Sequence, residues 1–348
     1  MRYVKDRSCW ASHDKTEAYR TSSSAWATRL EVTSLIYRLQ VGISVLLVTL
    51  LVSLSAISRS QSKSAQDPFS YDQQAPLDFR EAGVETLTDA TVHDVSYASA
   101  KGGRVPAYLV IPKARGPFAA IEFVHWGQGN RTEFLSEALL YAKAGVVSLM
   151  IDAPYRRPEW VAGPSFMDNP QKDFDLYTQL VIDARRGLDV LLSRSDVDPK
   201  RVAYVGHSLG ATWGGALAGV DKRVKAVILM GGLPNITDFS GDDEYSKDVR
   251  QQYKPEQIAK YVQLIGPIDP EKFVGNAAPT HLFFQFARWD RFISAANAKR
   301  YETAASQPKV SKTYNTSHEF NDLQSWCDRV DWIGKELQLR SGVPAVCR

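Results

Sequence analysis

A serine hydroxyl becomes a useful nucleophile when a histidine can take its proton and an acid can orient that histidine. The stretch RVAYVGHSLGATWGGALAG, Arg201 to Gly219, carries G-H-S-L-G at its centre, with Ser208 in the middle position. G-x-S-x-G alone is a weak signal, and its context sharpens it. An apolar strand-like run ends at Gly206 and a helix-like run follows at once. A sharp strand-to-helix turn crowds the backbone, so its flanking positions must be small, as Gly206 and Gly210 are. Such a turn exposes the serine hydroxyl and aims a helix N-terminus at developing negative charge.

Six histidines are available as the base. His13 precedes a long apolar segment, His93 lies in an early strand, and His281 opens a strand at the wrong end. His125 ends a strand, and His207 sits inside the turn itself. His318, in YNTSHEFND, falls in a loop between a last strand and a last helix, and it is the best base in the order serine, acid, histidine. The acid should follow a late strand, and FFQFARWDRFIS presents Asp290 there. Asp322 and Asp328 follow His318 and are poorer choices. Two backbone amides should hold an oxyanion: that of Leu209, and that of Trp126 or Gly127 after the strand IEFVHW. His125, Tyr155 and Arg156 complete the candidate set as substrate contacts, since DAPYRRPEW follows a strand at the edge where open α/β sheets bind ligands. Arg156 or Arg157 could meet an anionic group, or be solvated or paired with nearby acids.

These residues need a scaffold. From Thr91 onward strand-like and helix-like runs alternate, including FAAIEFVHW, GVVSLMID, RVAYVG, VKAVILMGG and THLFFQFA as buried strands. DFDLYTQLVIDARRGLDVLLSR reads as a long amphipathic helix. The pattern predicts an α/β fold with a mostly parallel central sheet and helices on both faces. Residues 234–275 interrupt the rhythm and read as a small cap or a long decorated connection. KPEQIAKYVQLIG is the helix expected inside them.

The first part of the chain differs in kind. Residues 1–34 are polar, and residues 35–58 contain VGISVLLVTLLVSLSAI, seventeen residues without a charge. That length fits either a signal anchor or a cleaved secretory signal. Seven basic residues in 1–40, against Arg59 and Lys63 after the apolar run, place the N-terminus in the cytoplasm and the remainder outside it. Residues 59–77 read as a flexible Ser/Gln-rich linker and 78–348 as the folded domain. The expected location is therefore membrane-anchored with the domain outside the cytoplasm, or secreted or periplasmic if the segment is cleaved.

Net charge is +3 and there is no Lys/Arg-rich run, which argues against nucleic acid as a partner. The three cysteines, Cys9, Cys327 and Cys347, have no zinc-site spacing, so neither a metal nor a cofactor is expected. Cys327 and Cys347 form a disulfide if this part of the chain is exported, or remain two thiols.

Together, VDPKRVAYVGHSLGA, FFQFARWDRFIS and SHEF at their spacings resemble the α/β-hydrolase superfamily over roughly Val92 to Leu339. The similarity is to the branch holding dienelactone hydrolases, acetyl esterases and the catalytic domain of prolyl oligopeptidases. It implies Ser208, Asp290 and His318 as a triad that cleaves a small-molecule carboxylic ester through an acyl-enzyme. A serine where dienelactone hydrolases use cysteine, and the lack of a preceding β-propeller sequence, separate this chain from two of those groups. A peptidase or acyl-peptide hydrolase is the alternative enzyme. A catalytically inactive binding module is the non-enzyme alternative.

Overall fold

In the computed structural model the chain divides into Met1–Asp67 and Pro68–Arg348. The structure describes residues 67–158, 166–241, 244–339 and 347. The apolar segment at 41–57 lies outside the described residues, as do residues 1–34 and His13. Among the described residues no helix is long and apolar enough to cross a membrane.

The second unit is built on nine strands: β1 (Arg80–Thr86), β2 (Ala90–Ala98), β3 (Arg104–Pro112), β4 (Phe118–Val124), β5 (Val146–Ile151), β6 (Val197–His207), β7 (Ala226–Met230), β8 (His281–Trp289) and β9 (Lys309–Ser317). Their order in the sheet is β1-β2-β3-β5-β4-β6-β7-β8-β9. The pairs from β1 to β5 are antiparallel. Those from β5 through β4 to β9 are parallel. Every residue of β4, β5 and β7 is buried. Strands covered on both faces need such unbroken apolar runs, and this is why they were legible.

Among the described residues eight helices accompany the sheet: α1 (Leu135–Lys143), α2 (Pro170–Leu192), α3 (Leu209–Val220), α4 (Glu244–Gln252), α5 (Pro255–Ile265), α6 (Glu271–Val274), α7 (Ala295–Ala304) and α8 (Leu323–Glu336). The long helix α2 is capped by the Asn169 side chain, which accepts from the Lys172 amide, with proline as its first residue. Two apolar clusters form the core. One includes Leu180, Leu188, Val205's neighbour Tyr204 and Trp213; the other includes Ile121, Phe123, Ile228 and Ile333.

Three details depart from expectation. The folded unit begins at Pro68, ahead of residue 78: Phe69 is fully buried against Phe273, and Arg185 donates to its carbonyl at 2.7 Å. The exposed edge strand β1 was not foreseen, because none of its residues is buried and no alternation marks it. The stretch 234–275 holds α4, α5 and α6, of which α5 was expected. Its helices border a largely apolar cavity of about 730 Å³ lined by Phe239, Tyr253, Ile258 and Val262. That lining includes none of Ser208, Asp290 and His318.

Cys327 of α8 is bonded to Cys347, with Cα atoms 5.4 Å apart. Of the two alternatives left open by the sequence, the structure holds the disulfide.

Candidate active site

Three parallel strands end at the same edge of the sheet, and each delivers one candidate side chain in the residue that follows it. Ser208 follows β6, Asp290 follows β8, and His318 follows β9. Ser208 has φ 53° and ψ −109°, a conformation that a non-glycine residue rarely adopts. It is held by its own backbone: its amide donates to the Met230 carbonyl at 2.7 Å, and its carbonyl accepts from Thr212 at 2.7 Å. The flanking glycines are required by contact. A Cβ on Gly206 would meet the Gly210 carbonyl oxygen at 2.3 Å, and one on Gly210 would meet the Val124 carbonyl oxygen at 2.2 Å.

His318 Nδ1 donates to Asp290 Oδ2 at 2.7 Å, and both side chains are almost fully buried. The other Asp290 oxygen accepts the amides of Phe292 at 2.8 Å and Ile293 at 3.0 Å, which fixes the carboxylate. With Nδ1 protonated, Nε2 of His318 is the basic nitrogen. The ring lies against Gly231, where a Cβ would come within 3.3 Å of it, at φ 57°. Gly231 directly follows Met230, the residue that accepts the Ser208 amide. The serine turn and the histidine therefore meet around one two-residue segment at the end of β7, Met230–Gly231. Phe292 closes the other side of the ring, edge-on at 4.8 Å. The rival acids are occupied elsewhere. Asp322 caps α8, and Asp328 pairs with Lys312 and Tyr314.

Other expected contacts come out differently. The Trp126 amide donates to Glu133 Oε2 at 2.9 Å, so it is committed within its own loop and is not free to hold an oxyanion. Gly127 packs on Leu209, whose side chain a Cβ would meet at 3.3 Å. His125 was expected to touch substrate. It is buried instead, accepts the Ala153 amide on Nε2 at 3.0 Å and donates from Nδ1 to the Trp126 carbonyl at 2.7 Å. Burial pushes its imidazole below the usual histidine pKa. Tyr155 is likewise buried, with its hydroxyl donating to the His125 carbonyl at 2.7 Å. Both residues brace the β4 and β5 loops and are not available as substrate contacts. Arg156 is exposed on a 3₁₀ turn, while Arg157 is buried in an ion pair with Asp183. Arg157 is therefore tied to a carboxylate of its own fold.

Sequence reasoning missed Glu133 and gave His207 no part. His207 Nδ1 meets Glu133 Oε1 at 2.6 Å, and its Nε2 meets the His318 carbonyl at 2.8 Å. Glu133 and His207 are separated by 74 positions, and no spacing rule links them. Among the described residues no group of three or more His, Cys, Asp or Glu side chains could hold a metal ion.

This topology, with a strained serine between strand and helix and a buried Asp–His pair at the same sheet edge, defines an α/β-hydrolase-like fold. The family described as Acetyl xylan esterase (AXE1) matches residues 70–271, and the chain belongs to that family. It is a family of carboxylic ester hydrolases by description. Among curated relatives, a polyketide transferase of Stachybotrys chlorohalonatus is 31% identical over 154 residues, 44% of this chain and 47% of that protein. The chain thus spans about half the length of this relative. Among solved structures, the acetyl xylan esterase of Paenibacillus sp. R4 superposes with TM-score 0.59 at 21% identity, covering 75% of this chain and 90% of that one. Acetyl xylan esterase 1 of Thermoanaerobacterium sp. JW/SL YS485 gives TM-score 0.65 at 16% identity, covering 79% and 92%. At these identities the two structures speak for the fold.

Proposed function

We propose that the protein is a serine esterase that forms an acyl-enzyme on Ser208. One observation carries the reading: the strained Ser208 turn is tied to the Met230–Gly231 segment on which the Asp290-bonded His318 ring packs. His318 Nε2 removes the hydroxyl proton as Ser208 Oγ attacks the acyl carbon. Asp290 holds the ring by Nδ1 and stabilises the imidazolium that forms. The amides of Leu209 and Gly127 receive the oxyanion. His318 then protonates the leaving alkoxide, and water releases the acyl group by the same route. Membership of the acetyl xylan esterase family supports a short acyl group, acetyl first, on a carbohydrate or similar alcohol.

The polyketide transferase relative supports a second reading. The same acyl-enzyme could pass its acyl group to an alcohol rather than to water. Hydrolysis of p-nitrophenyl acetate, run with and without an added alcohol acceptor, separates the two. Acetic acid as the sole acyl product, beside nitrophenol, favours the esterase, and ester formed at the expense of acid favours the transferase. No turnover with any short acyl ester would overturn both.

We also place the domain in an oxidising compartment. The Cys327–Cys347 bond supports this, because such bonds persist outside the reducing cytosol. The apolar segment at 41–57 is then the export signal or anchor. Labelling of the intact cell surface or periplasm by an impermeant reagent tests it. Recovery of the protein solely from the cytosol with both thiols reduced would contradict it.

A further inference from the structure

The His207 ring has a hydrogen-bond acceptor at both ends. Nδ1 faces a carboxylate oxygen of Glu133 at 2.6 Å, and Nε2 faces the carbonyl oxygen of His318 at 2.8 Å. The ring therefore links the Glu133 carboxylate to the His318 backbone. The other Glu133 oxygen accepts the Trp126 amide. The ring is 3% exposed, stacks on Trp126 at 5.7 Å and lies 5.3 Å from the His318 ring. Phe320 closes it edge-on at 5.7 Å. Of the groups packed on this ring, Trp126, Glu133, His318 and Phe320, the acid Glu133 alone supplies negative charge. Asp290 is engaged with His318 on the far side. The loop carrying Glu133 is folded tightly onto the same place: a Cβ on Gly129 would come 2.5 Å from Trp126 and 2.6 Å from Glu133 Oε2.

We propose that Glu133 and His207 are positioning residues for the serine site, with the His207 ring bridging Glu133 and the His318 carbonyl so that it clamps the His318 backbone to the loop after β4. The proposal rests on the triad reading above. The pair connects three segments that chemistry at Ser208 needs in register: the serine turn through His207 itself, the histidine loop through the His318 carbonyl, and the Trp126–Gly127 loop through Glu133 Oε2. The His318 carbonyl is held by the His207 ring, so the base keeps its place as its own ring gains and loses a proton.

The test uses the full-length protein with ¹⁵N-labelled histidine, His207→Gln serving to assign the signal. The expected spectrum shows a hydrogen-bonded N–H on His207 Nε2, and Glu133→Gln shifts both ring-nitrogen signals. On p-nitrophenyl acetate, Glu133→Gln and His207→Ala should each lower kcat about 10- to 100-fold with KM changed less than about threefold. His207→Gln should recover part of that loss, because its amide can still donate to the His318 carbonyl. His207 ring-nitrogen signals that do not move in Glu133→Gln overturn the proposal. So does a folded His207→Ala variant within twofold of wild-type kcat. Loss of the triad reading looks different: Ser208→Ala would keep its turnover, while the ring spectrum would still report on the Glu133–His207 pair.

Discussion

Two histidines end strands at the same edge of this sheet, and each is 2% exposed, yet they do opposite things. His318 donates from Nδ1 to a carboxylate and leaves its other nitrogen for chemistry. His125 spends both nitrogens on backbone, accepting from Ala153 and donating to the Trp126 carbonyl. Position at the ligand-binding edge and burial do not separate them. The chemistry of the hydrogen-bond partner does. A carboxylate partner on Nδ1 leaves Nε2 open, whereas an amide donor on Nε2 occupies the nitrogen that acid–base work needs. The regions around them differ in the same way. After β8 and β9 the chain presents Asp290 and His318 to each other, and after β4 and β5 it turns His125, Tyr155 and Arg157 inward to hold its own loops.

The largest effect expected from this contrast is at the serine. Ser208→Ala should lower kcat for a short ester by about 10⁴-fold or more, read by steady-state kinetics on folded protein. Asp290→Asn should cost about 10²- to 10⁴-fold in kcat, since the amide no longer enforces the His318 tautomer. A loss below about fivefold would break the distinction between the two histidines. Asp269, outside both regions, offers a stability test. It accepts the Ile236 amide and the Thr237 hydroxyl, and burial raises its carboxyl from 3.8 to about 6. A raised acid binds its proton more tightly in the folded state. Its contribution is therefore intact below pH 4 and is lost as pH rises through about 6, on the order of 3 kcal/mol. Denaturant unfolding at pH 4.5 and pH 7 should show this slope, and Asp269→Asn should flatten it. His125→Gln should act on stability and much less on chemistry, costing about 1–3 kcal/mol with kcat within about fivefold. In the wild-type protein the depressed His125 pKa has the opposite sign to Asp269: its contribution is present above about pH 6.5 and is lost as pH falls through the folded value. Arg156→Ala should change stability by less than about 0.5 kcal/mol, as its side chain is exposed.

The parallel half of the sheet was legible because β4, β5 and β7 are unbroken apolar runs. Ser208 was legible because crowding restricts Gly206 and Gly210 to residues without a side chain. Asp290 and His318 followed from strand ends and chain order. The rest depends on contacts that a linear pattern does not encode. Phe69 belongs to the core through partners more than a hundred residues away, such as Arg185. Glu133 reaches His207 from a loop whose sequence, GQGNRTEF, reads as an ordinary turn before a helix. The His125 and Trp126 assignments failed for a related reason. A donor's availability is settled by what else accepts from it, and Glu133 had already taken the Trp126 amide.

The central claim is an acyl group carried by Ser208. It is tested most directly by quenching the protein in acid soon after mixing with p-nitrophenyl acetate and mapping the adduct by peptide mass spectrometry. The account predicts acetyl on the peptide containing Ser208, formed with a burst of nitrophenol and absent from Ser208→Ala. Turnover with no acetyl on that peptide, and with undiminished rate in Ser208→Ala, would contradict it.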